Sequence, residues 1–228
     1  MSREDQFIVR HGTIPAIGEG SAERAVINRL GFQVVTDFIT QLVLSGHAFH
    51  MQIGTEDAPV NTTAAIDPAL VFGVIDNPAS KILIPLLYEV NVGTFTTSTL
   101  IQAMLELDTA KNRYSSGGTV FAPKNLNGIS AVQKAFSGSA YVGTDVTTAA
   151  KTAVPGSIEL ARRAIGEDNI ATATSVENLD REIYSVAKRP IALVSGLGSM
   201  LLHFGAATAD ATGYAVAQFA QLDSAQLA

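Results

Sequence analysis

The chain reads as an all-β protein, an antiparallel β sandwich with one or two short helices, on three observations. Apolar and polar residues alternate over long stretches, the period-two pattern of a half-buried strand. Short apolar runs recur between clusters of Gly, Pro, Asn and Asp, as in sandwiches and barrels. The 228 residues contain no cysteine, yet a chain of that length buries about 70% of its unfolded surface without covalent staples. The same absence removes disulfides, thiolate metal sites and thiol nucleophiles from consideration.

Residues 1–30 are expected to form an arm, or a short helix over 21–30 stopped by Gly31, ahead of a single sandwich domain over 31–228. Over 32–44 the even positions Phe32, Val34, Phe38, Leu42 and Leu44 are apolar. Phe32, Val35, Ile39 and Leu42 would also fit a helical stripe, but β-branched enrichment favours a strand. Further strands are predicted at 48–53, 69–75 and 119–122. The clearest pattern runs over 81–92, where Ile82, Ile84, Leu86, Tyr88, Val90 and Val92 share one parity and Lys81, Glu89 and Asn91 the other. Pro85 cannot donate to a ladder, so this strand should lie at an edge or carry a bulge there. After a connection over 93–98, Thr99, Ile101, Ala103, Leu105 and Leu107 alternate in turn, predicting a long antiparallel hairpin with 81–92.

Residues 137–153, rich in Ser, Gly, Thr and Ala, read as a long loop, and 157–165 as a helix between Pro155–Gly156 and Gly166. The runs 191–194, 200–204 and 214–222, separated by glycine-bearing turns, predict a closing three-stranded meander. The window 190–209 has no Asp, Glu, Lys or Arg, but Gly196, Gly198, Gly205 and His203 interrupt it. Two strands are expected there rather than a membrane span.

The net charge of −6 is unevenly spread: 1–30 sum to zero, 31–110 to −7 and 111–228 to +1. Neither terminus is a basic arm, and phosphate neutralisation needs clustered Lys and Arg, so direct nucleic-acid binding is not expected. Arg3, Glu4, Asp5, Arg10 and Glu19 interrupt any apolar signal core, so export by that route is not expected either.

No nucleophile elbow, HExxH, phosphate-loop or calcium-loop pattern occurs. Gly196 and Gly198 read as a turn, and Asp180 and Glu182 as solvated charges. His47 and His50, three apart, share a face only on a helix. With His203 they frame a metal-dependent cupin as the enzyme alternative, but the close HxH and glutamate of that family are missing. No catalytic residue, metal or cofactor is predicted. The sequon at Asn61, Thr62 and Thr63 is assigned to a loop. With no tryptophan for sugar stacking, a secreted or surface glycan- or protein-binding module stands as the non-enzymatic alternative.

The run Asn77, Pro78, Ala79, Ser80, Lys81 followed by ILIPLLYEVNV resembles a segment of tailed-phage virion proteins, in which an NP turn leads into a long apolar strand. The likeness extends loosely to 31–49 and 190–223, about half the chain. It implies a jelly roll of the capsid decoration or minor capsid type, located in the virion, with other capsid proteins as partners and no chemistry of its own. A homotrimer follows by analogy with such shells. A mean hydropathy of +0.25 with only 16% charged residues is compatible with apolar surface covered by partners and equally with a large core. The expected self-contact comprises Met200, Leu202, Phe204, Tyr214 and Phe219.

Overall fold

In the computed structural model the described residues are 37–63, 66, 69–94, 101–148, 157–166, 181–189, 191–206 and 211–226. The expected arm or helix within 1–30 lies outside them. One helix, α1 (Phe38–Leu44), precedes β1 (Ala48–Ile53), β2 (Val60–Asn61), β3 (Leu70–Asn77), β4 (Lys81–Thr94) and β5 (Ile101–Asp108). There follow β6 (Tyr114–Ser116), β7 (Thr119–Val120), β8 (Lys124–Asn125), β9 (Ser139–Thr148) and β10 (Ser157–Gly166). The chain closes with β11 (Glu182–Ser185), β12 (Val194–Ser195), β13 (Gly198–Ala206) and β14 (Thr212–Asp223).

Two antiparallel sheets pack as a sandwich. The first has the order β11-β4-β14-β1-β8, and the second β10-β5-β13-β3-β9-β6. Eight strands carry the wiring: β1 pairs β14, β3 pairs β13, β4 pairs β11 and β5 pairs β10. First thus joins last, second seventh, third sixth and fourth fifth. Wrapping that nested hairpin and joining β14 to β4 and β13 to β5 produces the jelly roll.

Inward residues of both sheets form one core. Phe49, Met51 and Ile53 of β1, Leu105 and Leu107 of β5, Met200, Leu202 and Phe204 of β13 and Phe219 of β14 all belong to it. Phe72 and Phe204 meet edge-on at 5.2 Å, and Phe49 stacks on Phe219 at 5.7 Å. Gly73 is fixed by sheet separation, because a Cβ there would lie 2.7 Å from Ile53 Cδ1 and 2.8 Å from Met51 Cε.

The outer faces are also partly buried. Leu42, Ala48, Ile82, Ile84, Leu86, Ala220 and Leu222 form a second cluster, joined by Ile39 and Val43 of α1. Val71, Val74, Val146 and Leu201 form a third, flanked by Tyr114 and Tyr141. The strand expected over 32–44 is therefore helical from residue 38, with 31–36 outside the described residues. Asp37 caps α1 by accepting from Thr40 N at 2.9 Å, and the Ile39, Leu42, Val43 stripe packs on the first sheet. Gly46 ends the helix at φ 74°, where a Cβ would meet Val132 O at 2.2 Å. A good cap and an apolar stripe outweigh β-propensity here.

Five further expectations change. Residues 157–166 are strand rather than helix, because register shifts between Glu159 and Ala161 and between Ala164 and Gly166 break the period-two pattern by which a strand is recognised. The supposed loop over 137–153 contains the ten-residue β9, held between β3 and the short strands β6 and β7. β4 and β5 do not form a hairpin but lie in opposite sheets, and β12, β13 and β14 alternate between sheets instead of forming a meander. Asn61 lies in β2, paired to β14, not in a loop.

Pro85 is central and bulged. Its strand lies between β14 and the β11/β12 side, and Gln218 opposite Leu87 is followed by Phe219 opposite Pro85. On the other side β11 pairs residues 87–89 and β12 pairs 82–83. Proline thus occupies the break between two short partners, where no ladder donor is required.

Candidate functional site

The histidines separate. His47, just before β1, is buried, and its Nδ1 lies 2.9 Å from Gln221 O. Burial holds its pKa below the ordinary histidine value, against the opposing pull of that carbonyl. His50 lies on the outer face of the first sheet, as strand geometry requires when Phe49 and Met51 point inward. His203 belongs to the second sheet and, by alternation with core residues Leu202 and Phe204, to its outer face. A shared site for His50 and His203 is therefore not formed. Among the described residues no group of three His, Asp or Glu is placed to hold a metal ion.

His203 Nε2 lies 3.4 Å from Glu106 Oε2, both side chains being almost fully buried. Ser157 donates a short hydrogen bond to the same carboxylate. The serine is thus coupled to the carboxylate, with the histidine on its far side, which is not the order in which a histidine base takes a serine proton. Tyr88 donates to His203 O at 2.9 Å, and burial pushes its phenol pKa upward.

Two polar clusters hold one end of the sandwich. Asn77, 0% exposed, donates through Nδ2 to Lys81 O and Gly196 O, each at 2.8 Å. Its Oδ1 accepts from Gln221 Nε2 at 3.0 Å, while Gln221 Oε1 accepts from Ser137 N at 2.8 Å. Asn77 thus joins the β3–β4 turn, the β12–β13 turn and β14. Beside it, Asp76 Oδ1 accepts from Ser199 Oγ at 2.5 Å and from Arg113 N at 3.1 Å. The buried Arg113 guanidinium lies 3.5 Å from Asp108. The sequence identified Asn77 only as part of a turn. Its partners 119 and 144 residues away leave no local signal.

Of the expected self-contact residues, Met200, Leu202, Phe204 and Phe219 are core residues at 0–1% exposure. They face the opposite sheet and cannot reach another chain, which leaves only the half-buried Tyr214. Alternation located a buried face correctly, but that face is the sandwich interior. The large apolar side chains that do reach solvent include Ile191, Leu193 and Leu197 around β12, and Leu44 with Ile129 near the end of α1. Asn127 binds the carbonyls of Val43 and Leu44 and accepts from Ile129 N, drawing the latter two together.

One groove, about 340 Å³ in volume, lies at the β1–β8 edge of the first sheet, lined by His50, Gln52, Gly54, Thr55, Ala58, Phe121 and Lys124, with Phe121 also packed against the interior core. β1 supplies His50 and Gln52, and β8 places Lys124 directly opposite His50. The Gly54–Ala58 turn is closed by Thr55 N to Ala58 O at 3.0 Å and by Ala58 N to Thr55 Oγ1 at 3.0 Å. Phe121 is anchored by its N–H to Ala140 O at 2.8 Å. The sequence singled out only His50 of this set, because Lys124 reaches it through the β1–β8 pairing and Phe121 through the segment leading into β8, both about seventy residues further along the chain.

No known protein family, curated protein or solved structure matches the chain. No helix among the described residues is long and apolar enough to cross a membrane.

Proposed function

We propose that the chain is a non-enzymatic structural component of a virus particle, a capsid decoration, cement or minor capsid protein that associates with itself and with neighbouring capsid subunits. Jelly rolls serve capsids, lectins and cupins alike, so the wiring alone selects no function. The observation that carries the reading is the apolar rim at β12. Ile191, Leu193 and Leu197 are 53%, 42% and 51% exposed, and among the described residues β12 pairs only with β4. Three large aliphatic side chains within seven residues, beside a strand edge, are the kind of surface that a neighbouring subunit covers.

The partner is a second copy, in a closed ring that jelly-roll analogy makes a trimer. Light scattering coupled to size exclusion over a concentration series tests this. A concentration-independent trimer, reduced to folded monomer by Leu193→Asp with Leu197→Asp, supports the reading. A strict monomer that also fails to co-sediment with capsid shells overturns it.

A further inference from the structure

The groove of His50, Gln52, Phe121 and Lys124 has the features of a small-molecule site: a volume in the usual range, an aromatic wall and a few convergent polar groups. Thr55 Oγ1 is engaged by Ala58 N, but three other polar members are not consumed by the fold. Among the described residues the side chains of His50, Gln52 and Lys124 make no hydrogen bond or ion pair with the protein. The wall residues are preset by the backbone bonds of the Gly54–Ala58 turn and of Phe121. Gly54 belongs to that shape, since its φ is 69° and a Cβ would lie 3.2 Å from both Ala58 O and Gly213 O. Preset walls lower the ordering cost of binding.

The donors define the ligand. A primary amide offers donors and an acceptor, an imidazole one or both, and an ammonium three donors with a fixed charge. No carboxylate lines the groove, and Glu56 and Asp57 of the adjoining turn are not among its lining residues. The polar surface continues beyond it. Gln218 is the cross-strand partner of His50 on the side away from Lys124, whereas beside Gln52 the surface turns apolar at Val216. Crossing β8, β1 and β14 covers two strand spacings, ~10 Å, enough for more than one sugar ring.

We infer that this groove binds an acidic saccharide. Its hydroxyls bond to His50 and Gln52, its carboxylate is held by Lys124, and the apolar face of a ring rests on Phe121. The inference does not depend on the particle reading. The test is calorimetric titration of the full chain with two probes, an oligogalacturonate tetramer and a sialylated trisaccharide, and with the methyl ester of whichever probe binds. One probe should bind, and its ester should bind about tenfold more weakly, as should the probe itself to Lys124→Ala and to Gln52→Ala, the loss of one charge-assisted or well-placed hydrogen bond in each case. Affinity should fall with salt, and both exposed-groove variants should keep the wild-type melting temperature. Failure of both probes overturns the inference, as does ester binding equal to that of the acid or unchanged affinity in the two variants.

Discussion

Exchanging Asn77 for aspartate replaces one amide nitrogen with an oxygen and leaves the shape almost unchanged. In the native protein that nitrogen donates to Lys81 O and Gly196 O, and the residue has no exposed surface. In Asn77→Asp both donated bonds go, at about 1 kcal/mol net each, and carbonyls left without their donor add about 1–3 kcal/mol. An ionised carboxylate facing two carbonyl oxygens is worse still, so the group stays protonated in the folded state. Holding it protonated at pH 7, against an unfolded value of about 3.9 and at 1.36 kcal/mol per unit, costs about 4 kcal/mol. The folded pKa is raised, so the variant's stability is fully present below the unfolded pKa and is lost as pH rises toward the folded one. A protonated carboxyl also restores one donated bond. The deficit against wild type should therefore be about 1–3 kcal/mol at pH 4 and grow to about 5–7 kcal/mol at pH 7. Urea midpoints of both proteins at the two pH values, with the slope checked for constancy, measure it. A deficit below about 1 kcal/mol, or one that does not change with pH, would refute the hub role of Asn77.

The other predictions concern packing and titration. Phe204→Ala should cost about 3–5 kcal/mol in denaturant unfolding, whereas Tyr214→Ala, on the outer face, should change stability by about 0.5 kcal/mol or less; comparable losses would contradict the inward placement of Phe204. Gly73→Ala should destabilise by about 1–3 kcal/mol through overpacking, and adding Ile53→Val, which removes the Cδ1 atom 2.7 Å from the new methyl, should recover part of that loss in a double-mutant cycle. His47 has a lowered folded pKa through burial, so the unfolded chain takes up its proton first and stability should decline as pH falls below about 6.5; a His47→Gln variant should lose that part of the pH dependence of the melting temperature.

The legible part of the fold was its long amphipathic strands. The alternation over 81–92 and 99–107 identified β4 and β5, and for β5 the parity of its buried face, because a side-chain period of two is a local property. In β4 the bulge at Pro85 divides the expected face, so that Ile82, Ile84 and Leu86 join the outer cluster while Tyr88, Val90 and Val92 enter the interior. What alternation does not encode is the neighbour. Both strands bury a face against the same interior, so the pattern is satisfied whether they pair with each other or lie in opposite sheets, as they do. Local signals failed where geometry departs from the ideal period: at the two bulges of β10, and at α1, whose cap and stripe compete with strand-forming residues. For the groove, the spacing argument that separates His47 from His50 on an extended chain holds. The partners of His50 are set by the β1–β8 pairing, which has no sequence signature.

The same topology accounts for the high mean hydropathy. The burial of β13 is unbroken over all nine residues, and that of β3 nearly so, since the interior core takes one face and outer clusters cover much of the other. Such strands read as continuous apolar runs, and they raise hydropathy without placing apolar surface in water. The composition therefore argues for partner-covered surface only at the few aliphatic side chains that remain exposed. Ile191, Leu193 and Leu197 surround β12 at the margin of the first sheet, Leu44 and Ile129 lie near the end of α1, and Val120 and Ile158 stand on β7 and β10. Because the jelly roll already uses its apolar strands internally, any self-association must be read from these rims and not from the hydrophobicity of the strands.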